Sequence, residues 1–185
     1  MIRCGHMHSR NSRRRYDGVW WLEETREERG MAYDIEERDL EPEMIASIRG
    51  WVPMVEIAER MGRDFDRIMA LLAAQGVKPS GPPVAYYHAW TEEAGDLEVG
   101  FPVAQPFAPG DGVARSELPG GKVLFTVYVG RYDQIEPAYN AMQAYAAHHG
   151  LELAPFMWER YFTDPDEEPD LSKHVTHVYW PLKKD

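Results

Sequence analysis

A single acidic residue, Glu159, lies in a segment of apolar and aromatic side chains, PFMWERYF over residues 155–162. Burying a charged carboxylate without a partner is unfavourable, so this glutamate needs either a basic partner or a ligand. The sequence offers Arg160, Arg131 or a lysine at a sheet edge as basic partners. Without such a pair, the carboxylate would lie at the bottom of an aromatic cleft and attract a cationic or protonatable ligand.

The segment around Glu159 has the alternation of a β-strand, in which successive side chains point to opposite faces. Met157, Glu159 and Tyr161 share one face, and the remaining aromatic residues of the segment share the other. We therefore include Met157 and Tyr161 with Glu159 among the predicted ligand-binding residues.

A strand and a helix precede Glu159 and complete one structural unit. Residues 123–129 alternate in a run of β-branched and aromatic residues, which predicts a strand inside a sheet. Asp133 and Glu136 have the spacing of a capping box and predict the start of a helix. The helix has apolar residues at steps of three and four, including Tyr139, and Gly150 is its predicted C-cap.

The first half of the chain repeats this order of elements. Residues 44–52 predict a strand, and the helix that follows has a buried stripe from Val55 to Leu72, with Gly76 at its end. Residues 84–90 and 97–103 predict two further strands.

The sequence thus predicts an α+β fold built from duplicated β-α-β-β units with pseudo-twofold symmetry. The two copies span about residues 31–104 and 112–183. Antiparallel sheets are expected to form a central cleft, with helices on the outer face, away from the cleft. Tyr87 and Glu159 have equal offsets from Pro83 and Pro155, so the symmetry would place them on opposing sides of the cleft.

Composition restricts the possible functions. The chain has 185 residues, enough for one domain with a core, and 12% of them are aromatic, which indicates an apolar pocket or a well-packed core. The net charge of −11 argues against direct nucleic-acid binding and favours cations as partners. No apolar run approaches the roughly 20 residues that cross a bilayer. The single cysteine, Cys4, excludes an internal disulfide and favours a cytoplasmic location.

Neither a metal nor a cofactor is predicted. Cys4, His6 and His8 lack a second ligand cluster at a suitable spacing, and His174 and His177 would point to opposite faces of a strand. The sequence also has no nucleophile elbow and no phosphate-binding loop.

Residues 1–30 differ from the remainder in having a basic run followed by an acidic run, with little apolar periodicity. We interpret them as a disordered extension, or as the product of a start codon assigned too far upstream. They lack the continuous apolar segment of a signal peptide.

Several short motifs in the last 150 residues occur together in the same order as in one known family. They are Pro83-Val-Ala-Tyr-Tyr-His, Val99-Gly-Phe-Pro-Val103, Leu118-Pro-Gly-Gly-Lys-Val123, Gly130-Arg-Tyr-Asp133, the Ala138-Tyr139 helix, Glu159-Arg-Tyr161 and Tyr179-Trp-Pro-Leu182. The sequence therefore resembles the GyrI-like small-molecule-binding domains, which also occur as effector-binding domains of AraC-type and MerR-type multidrug regulators.

The resemblance implies a cleft that accepts hydrophobic, often cationic molecules. It implies that Glu159 faces the ligand and that Tyr132 lies nearby. It also implies aromatic walls, at Tyr87, Trp90, Phe101, Tyr161 and Trp180.

The resemblance leaves the activity open between classes. Only residues 1–30 precede the matching part, without a helix-turn-helix pattern, so we expect a stand-alone binding protein that acts as a ligand sink or with a protein partner. The alternative is a hydrolase of strained or electrophilic small molecules, with Glu159 as general base and Tyr132 orienting or donating a proton. Inhibition of DNA gyrase is less favoured, because the acidic residues are scattered and do not form a DNA-like surface.

Overall fold

The computed structural model describes residues 15–16, 19–20 and 33–183. The chain divides into two compact units, Met1–Ala32 and Tyr33–Asp185. In the first unit, β1 (Arg15–Tyr16) pairs antiparallel with β2 (Val19–Trp20). The remaining predictions for residues 1–30, including those for Cys4, concern residues outside the described ones.

The second unit is built from eight strands and two α-helices. The strands are β3 (Glu36–Leu40), β4 (Glu43–Pro53), β5 (Val84–Trp90), β6 (Ala94–Pro102), β7 (Ala114–Leu118), β8 (Gly121–Val129), β9 (Met157–Tyr161) and β10 (Val175–Pro181). The helices are α1 (Ile57–Ala74) and α2 (Glu136–His149), and short 3-10 turns span Met54–Glu56, Tyr132–Gln134 and Leu171–Lys173.

All eight strands form one antiparallel sheet in the order β3-β8-β10-β9-β5-β6-β4-β7. This order is symmetric about the junction between β9 and β5, because each strand of one half has a counterpart in the other. The edge strands exchange between the halves: β3 opens the first copy but pairs with β8 of the second, and β7 opens the second copy but pairs with β4 of the first.

The strand pairing at the centre has the same symmetry. Tyr86 lies opposite Trp158, with Ala85 opposite Glu159 on one side and Tyr87 opposite Met157 on the other. A twofold axis between Tyr86 and Trp158 therefore exchanges Tyr87 with Glu159. The predicted fold class is confirmed: a duplicated α+β fold with an antiparallel curled sheet and two helices.

Both helices pack on the sheet face that carries Glu159. In one core cluster, Leu72 of α1 packs with Ala85, which is the cross-strand partner of Glu159. In another cluster, Met142 of α2 packs with Met157, which shares the face of Glu159 along β9. This placement differs from the expectation that the helices lie away from the face that carries Tyr87 and Glu159.

The helix ends follow the sequence prediction only in part. Gly150 ends α2 in the left-handed conformation, with φ of 66°, as predicted. Asp133 does not cap the helix; its carboxylate accepts two hydrogen bonds of 3.0 Å from the Arg131 guanidinium, a charged donor. Val55 was predicted in the buried stripe of α1, but it lies in the preceding 3-10 turn with 94% of its surface exposed. The helical period does not extend into that turn.

No helix in the described part of the chain is both long and apolar enough to cross a membrane.

Close backbone contact makes Gly100 in β6 sensitive to substitution. A Cβ atom there would lie 2.6 Å from the Ala46 carbonyl oxygen and 3.0 Å from the Ser47 Cβ. We expect Gly100→Ala to lower the free energy of unfolding by about 1–3 kcal/mol, because β4 would have to shift. Gly62 in α1 has no atom within 4 Å of its Cβ position, so Gly62→Ala should raise the free energy of unfolding by up to about 1 kcal/mol. Urea unfolding measures both, and equal stability of the two variants would contradict this packing.

Candidate functional site

Glu159 lies at the centre of the sheet and is buried. Its strand, β9, runs between β10 and β5, and Glu159 lies opposite Val178 on one side and Ala85 on the other. Only 3% of its surface is exposed. The carboxylate is therefore surrounded by the sheet below and by side chains of the helix layer above.

Two tyrosine hydroxyls contact the Glu159 carboxylate. The Tyr139 hydroxyl, from α2, donates a short hydrogen bond to Oε1, and the Tyr161 hydroxyl donates one of 2.6 Å to Oε2. Neither donor carries a positive charge. The basic partners suggested by the sequence are engaged elsewhere, because Arg160 pairs with Glu43 and Arg131 pairs with Asp133.

Burial raises the pKa of Glu159 above its ordinary value, and the hydrogen bonds from Tyr139 and Tyr161 offset only part of that rise. Burial and the nearby Glu159 charge together raise the pKa values of Tyr139 and Tyr161 well above the usual tyrosine range. Both tyrosines are consequently neutral hydrogen-bond donors at physiological pH.

A second buried carboxylate shows what Glu159 lacks. Glu98 on β6 is also 3% exposed, but it accepts a 2.5 Å hydrogen bond from Ser47 and lies 2.7 Å from Nε2 of His88. Burial alone would raise its pKa, yet the hydrogen bonds from His88, Ser47 and Ser116 bring that pKa below the ordinary value. The fold thus gives Glu98 a basic side chain as a partner, His88, and gives Glu159 none among the described residues.

Tyr87 and Met157 lie beside Glu159. They are cross-strand partners, and Met157 is buried at 3% exposure. Burial, followed by the Glu159 charge, raises the pKa of Tyr87, and a hydrogen bond with Tyr161 offsets part of the rise. Tyr87, Glu159 and Tyr161 therefore form one polar group on this face of the sheet.

Tyr132 lies at one side of this group without contacting the carboxylate. Its ring centroid is 5.3 Å from that of Tyr161 and 5.2 Å from that of His174. Its hydroxyl makes a long hydrogen bond of 3.4 Å to the Thr163 carbonyl oxygen. Burial and then the charge of Glu159 raise the pKa of Tyr132, which places it within electrostatic reach.

Trp90 reaches the same face through a β-bulge. The pairing of β5 with β6 shifts register between Tyr87 and Ala89, so Trp90 lies opposite Gly95. Simple alternation would have put Trp90 on the other face from Tyr87. The Trp90 ring lies 6.2 Å from that of Trp180, which in turn lies 6.3 Å from that of Tyr139.

Phe101 is the most distant of the predicted wall residues along the sheet. It lies on β6, two strands away from β9, and packs edge-on against Phe65 of α1 with ring centroids 5.3 Å apart. Tyr87, Tyr161 and Phe101 all pack against the same core cluster. Phe101 thus lies towards the α1 side of the group.

Tyr139 was missed as a site residue. Its place in the apolar stripe of a predicted helix, and in one of the family motifs, did not mark it as a residue that faces the ligand. A tyrosine in a buried helical stripe needs a partner for its hydroxyl, and a lone glutamate on an apolar strand needs a donor. These two requirements were the sequence signal that could have identified Tyr139 as a hydrogen-bond partner of Glu159.

Groups of three or more His, Cys, Asp or Glu side chains able to hold a metal ion are absent from the described residues.

Comparison with known proteins supports one family. Residues 31–183 match the family model of the GyrI-like small molecule binding domain. No curated protein sequence matches the chain.

Several solved structures share the fold at low sequence identity. The C-terminal domain of EcmrR has a TM-score of 0.69 at 18% identity, covering 84% of this chain and 100% of that one. The EcmrR chain in a complex with DNA has a TM-score of 0.73 at 19% identity, covering 86% of this chain but only 60% of that chain.

Two further structures are similar at lower scores. A hydrolase from Listeria innocua has a TM-score of 0.54 at 12% identity, covering 80% of this chain and 91% of that one. SAV2435 bound to tetraphenylphosphonium has a TM-score of 0.54 at 11% identity, covering 83% of this chain and 94% of that one. At these identities the likeness concerns the fold alone.

Proposed function

Because the chain belongs to the GyrI-like small-molecule-binding domain family, we propose that it binds a hydrophobic cation at Glu159. The observation that carries this proposal is the buried carboxylate whose only hydrogen-bond donors, among the residues that the structure describes, are two neutral tyrosine hydroxyls. A bound cation would supply the missing charge, and its attraction is strong where water is excluded.

The aromatic residues around Glu159 suit a large delocalised cation. Tyr139 and Tyr161 contact the carboxylate, and Trp180 lies next to Tyr139. Each aromatic face that meets a cation contributes about 0.5–2 kcal/mol. Stacking and a single charge define little shape, so the protein should accept several cations of similar size.

Binding requires a local rearrangement. Both carboxylate oxygens already accept tyrosine hydrogen bonds, and the site is closed to solvent. We propose that Tyr139 on α2 and the nearby Tyr132 turn aside when a ligand enters, which would let the rings pack against it.

Tetraphenylphosphonium is a suitable probe, since the similar fold of SAV2435 is known with this cation bound. Tetraphenylborate has nearly the same shape and the opposite charge. We expect calorimetric titration to detect tetraphenylphosphonium binding at least about 100-fold tighter than tetraphenylborate, because the anion would face an unneutralised carboxylate. Equal affinity for the two ions, or no binding of the cation, would refute the proposal.

Hydrolysis by Glu159 is the weaker proposal. A general base needs a water molecule within reach, whereas Glu159 is only 3% exposed and tyrosine hydroxyls contact both of its carboxylate oxygens. Tyr132, the expected proton donor, makes its hydrogen bond to the Thr163 carbonyl. Product analysis after incubation with a reactive electrophile distinguishes the two functions, because binding alone leaves the compound intact.

A further inference from the structure

Two buried N–H groups lack hydrogen-bond partners on the sheet face opposite Glu159. They are Nε1 of Trp158 and Nε of Arg160, and neither has an acceptor among the described residues. The residues alternate with Glu159 along β9, so both side chains point to the other face. A buried donor without an acceptor costs about 1–3 kcal/mol, so two on one strand call for an explanation.

Both residues line one depression of about 350 Å³. Its other walls come from the last residues of the edge strands β3 and β7 and from the residues that follow them, and they are mainly leucine and proline. The wall residues are Leu40, Glu41, Pro42, Glu43, Leu118 and Pro119. The depression therefore combines apolar walls with two residues that each carry an unpaired, buried donor, a composition that suits a small-molecule site.

Neighbouring side chains hold the two donors in place. The Trp158 ring stacks on that of Tyr179 at 5.6 Å with an angle of 11° between the planes, and Trp158 is 1% exposed. The Arg160 guanidinium lies 5.4 Å from the centroid of the same Tyr179 ring, and its Nη2 donates to the Glu43 carboxylate. Because both donor atoms are themselves buried, the side chains that cover them must shift before a ligand oxygen can reach them.

The local charge selects against an anion. Glu43 already neutralises Arg160, and Glu41 adds a further negative charge to the wall. A carboxylate entering here would meet net negative charge, whereas a neutral carbonyl oxygen could accept from both donors.

We propose that this depression is a second ligand site, for a neutral apolar molecule that carries a carbonyl oxygen. Trp158 and Arg160 donate to that oxygen, and the leucine and proline side chains cover the apolar body. The site is separate from Glu159, because it lies on the opposite face of the sheet. It does not depend on the cation-binding proposal.

Acetophenone and ethylbenzene test the site, because they have similar shapes and differ in the carbonyl oxygen. In ¹H–¹⁵N spectra of the full chain, the Trp158 indole N–H should shift downfield in a saturable way with acetophenone. Ethylbenzene should bind at least about tenfold more weakly, since it leaves both donors unpaired. Trp158→Phe assigns the signal, and Trp180→Phe is the matched control, because the Trp180 indole already donates to the Ala154 carbonyl at 2.9 Å.

Arg160→Lys keeps a charge for Glu43 but removes Nε, and it should weaken acetophenone binding at least about fivefold. The proposal is overturned if the Trp158 signal does not move up to the solubility limit of acetophenone, which would mean that ordered water satisfies these donors. It is also overturned if the two probes act equally, or if only the Trp180 signal responds. Since tetraphenylphosphonium is not expected to compete with acetophenone, failure here leaves the Glu159 proposal intact.

Discussion

Glu159→Gln is expected to lower the affinity for tetraphenylphosphonium by about 10- to 100-fold, or about 1.4–2.8 kcal/mol. Glutamine has nearly the same shape, and its carbonyl oxygen still accepts a hydrogen bond from Tyr139 or Tyr161. The substitution therefore removes the charge and leaves the aromatic walls in place. The loss arises because a cation in a dry site no longer meets its counter-charge. Calorimetric titration of both proteins measures the difference.

Glu98→Gln is the matched control for that experiment. Glu98 is equally buried in the same sheet but points to the other face, where it contacts Ser47 and His88. Its replacement should leave tetraphenylphosphonium affinity unchanged once circular dichroism shows that the variant is folded. Unchanged affinity in Glu159→Gln would contradict the proposed role of the carboxylate. Partial unfolding could not explain a loss of affinity in Glu159→Gln, because removing a buried charge that has no counter-charge should stabilise the fold.

The fold was predictable from the sequence to the extent that alternation and turn residues define elements locally. The strand predicted over residues 84–90 coincides with β5, and the left-handed Gly150 ends α2 where expected. The duplication followed from comparing the two halves, and the symmetric pairing around Tyr86 and Trp158 agrees with it. The start of α2 was less predictable, because Arg131 competes with the helix amides for the Asp133 carboxylate.

The surroundings of the site were less accessible to sequence reasoning, because they depend on which elements meet. Met157, Glu159 and Tyr161 could be placed on one face by counting along one strand. Trp90 could not be placed in this way, because the bulge that reverses its direction has no clear local signature in Tyr87-His88-Ala89. Tyr139 required knowledge that α2 covers the face that carries Glu159. Long-range packing decides both cases.

The pH dependence of tetraphenylphosphonium binding should follow the ionisation of Glu159. Its pKa in the ligand-free protein is raised above the ordinary 4.5, chiefly by burial. Only the ionised form attracts a cation, so affinity should rise with pH up to the raised pKa and then level off. Below that pKa affinity should fall by up to about tenfold per pH unit until it reaches that of Glu159→Gln, because protons compete with the cation for the carboxylate. The phosphonium charge itself does not titrate.

Protein stability should change in the opposite direction over the same pH window. The folded protein holds the Glu159 proton more tightly than the unfolded chain, so the free energy of unfolding falls as pH rises from 4.5 to the raised pKa. Glu98 has a lowered pKa, so its contribution is lost only as pH falls below 4.5, outside this window. Titrations and urea unfolding at matched pH values measure both trends. Glu159→Gln should abolish the pH dependence of affinity and remove the Glu159 contribution to the stability trend, and a wild-type affinity that does not change with pH would show that the bound cation does not use this carboxylate.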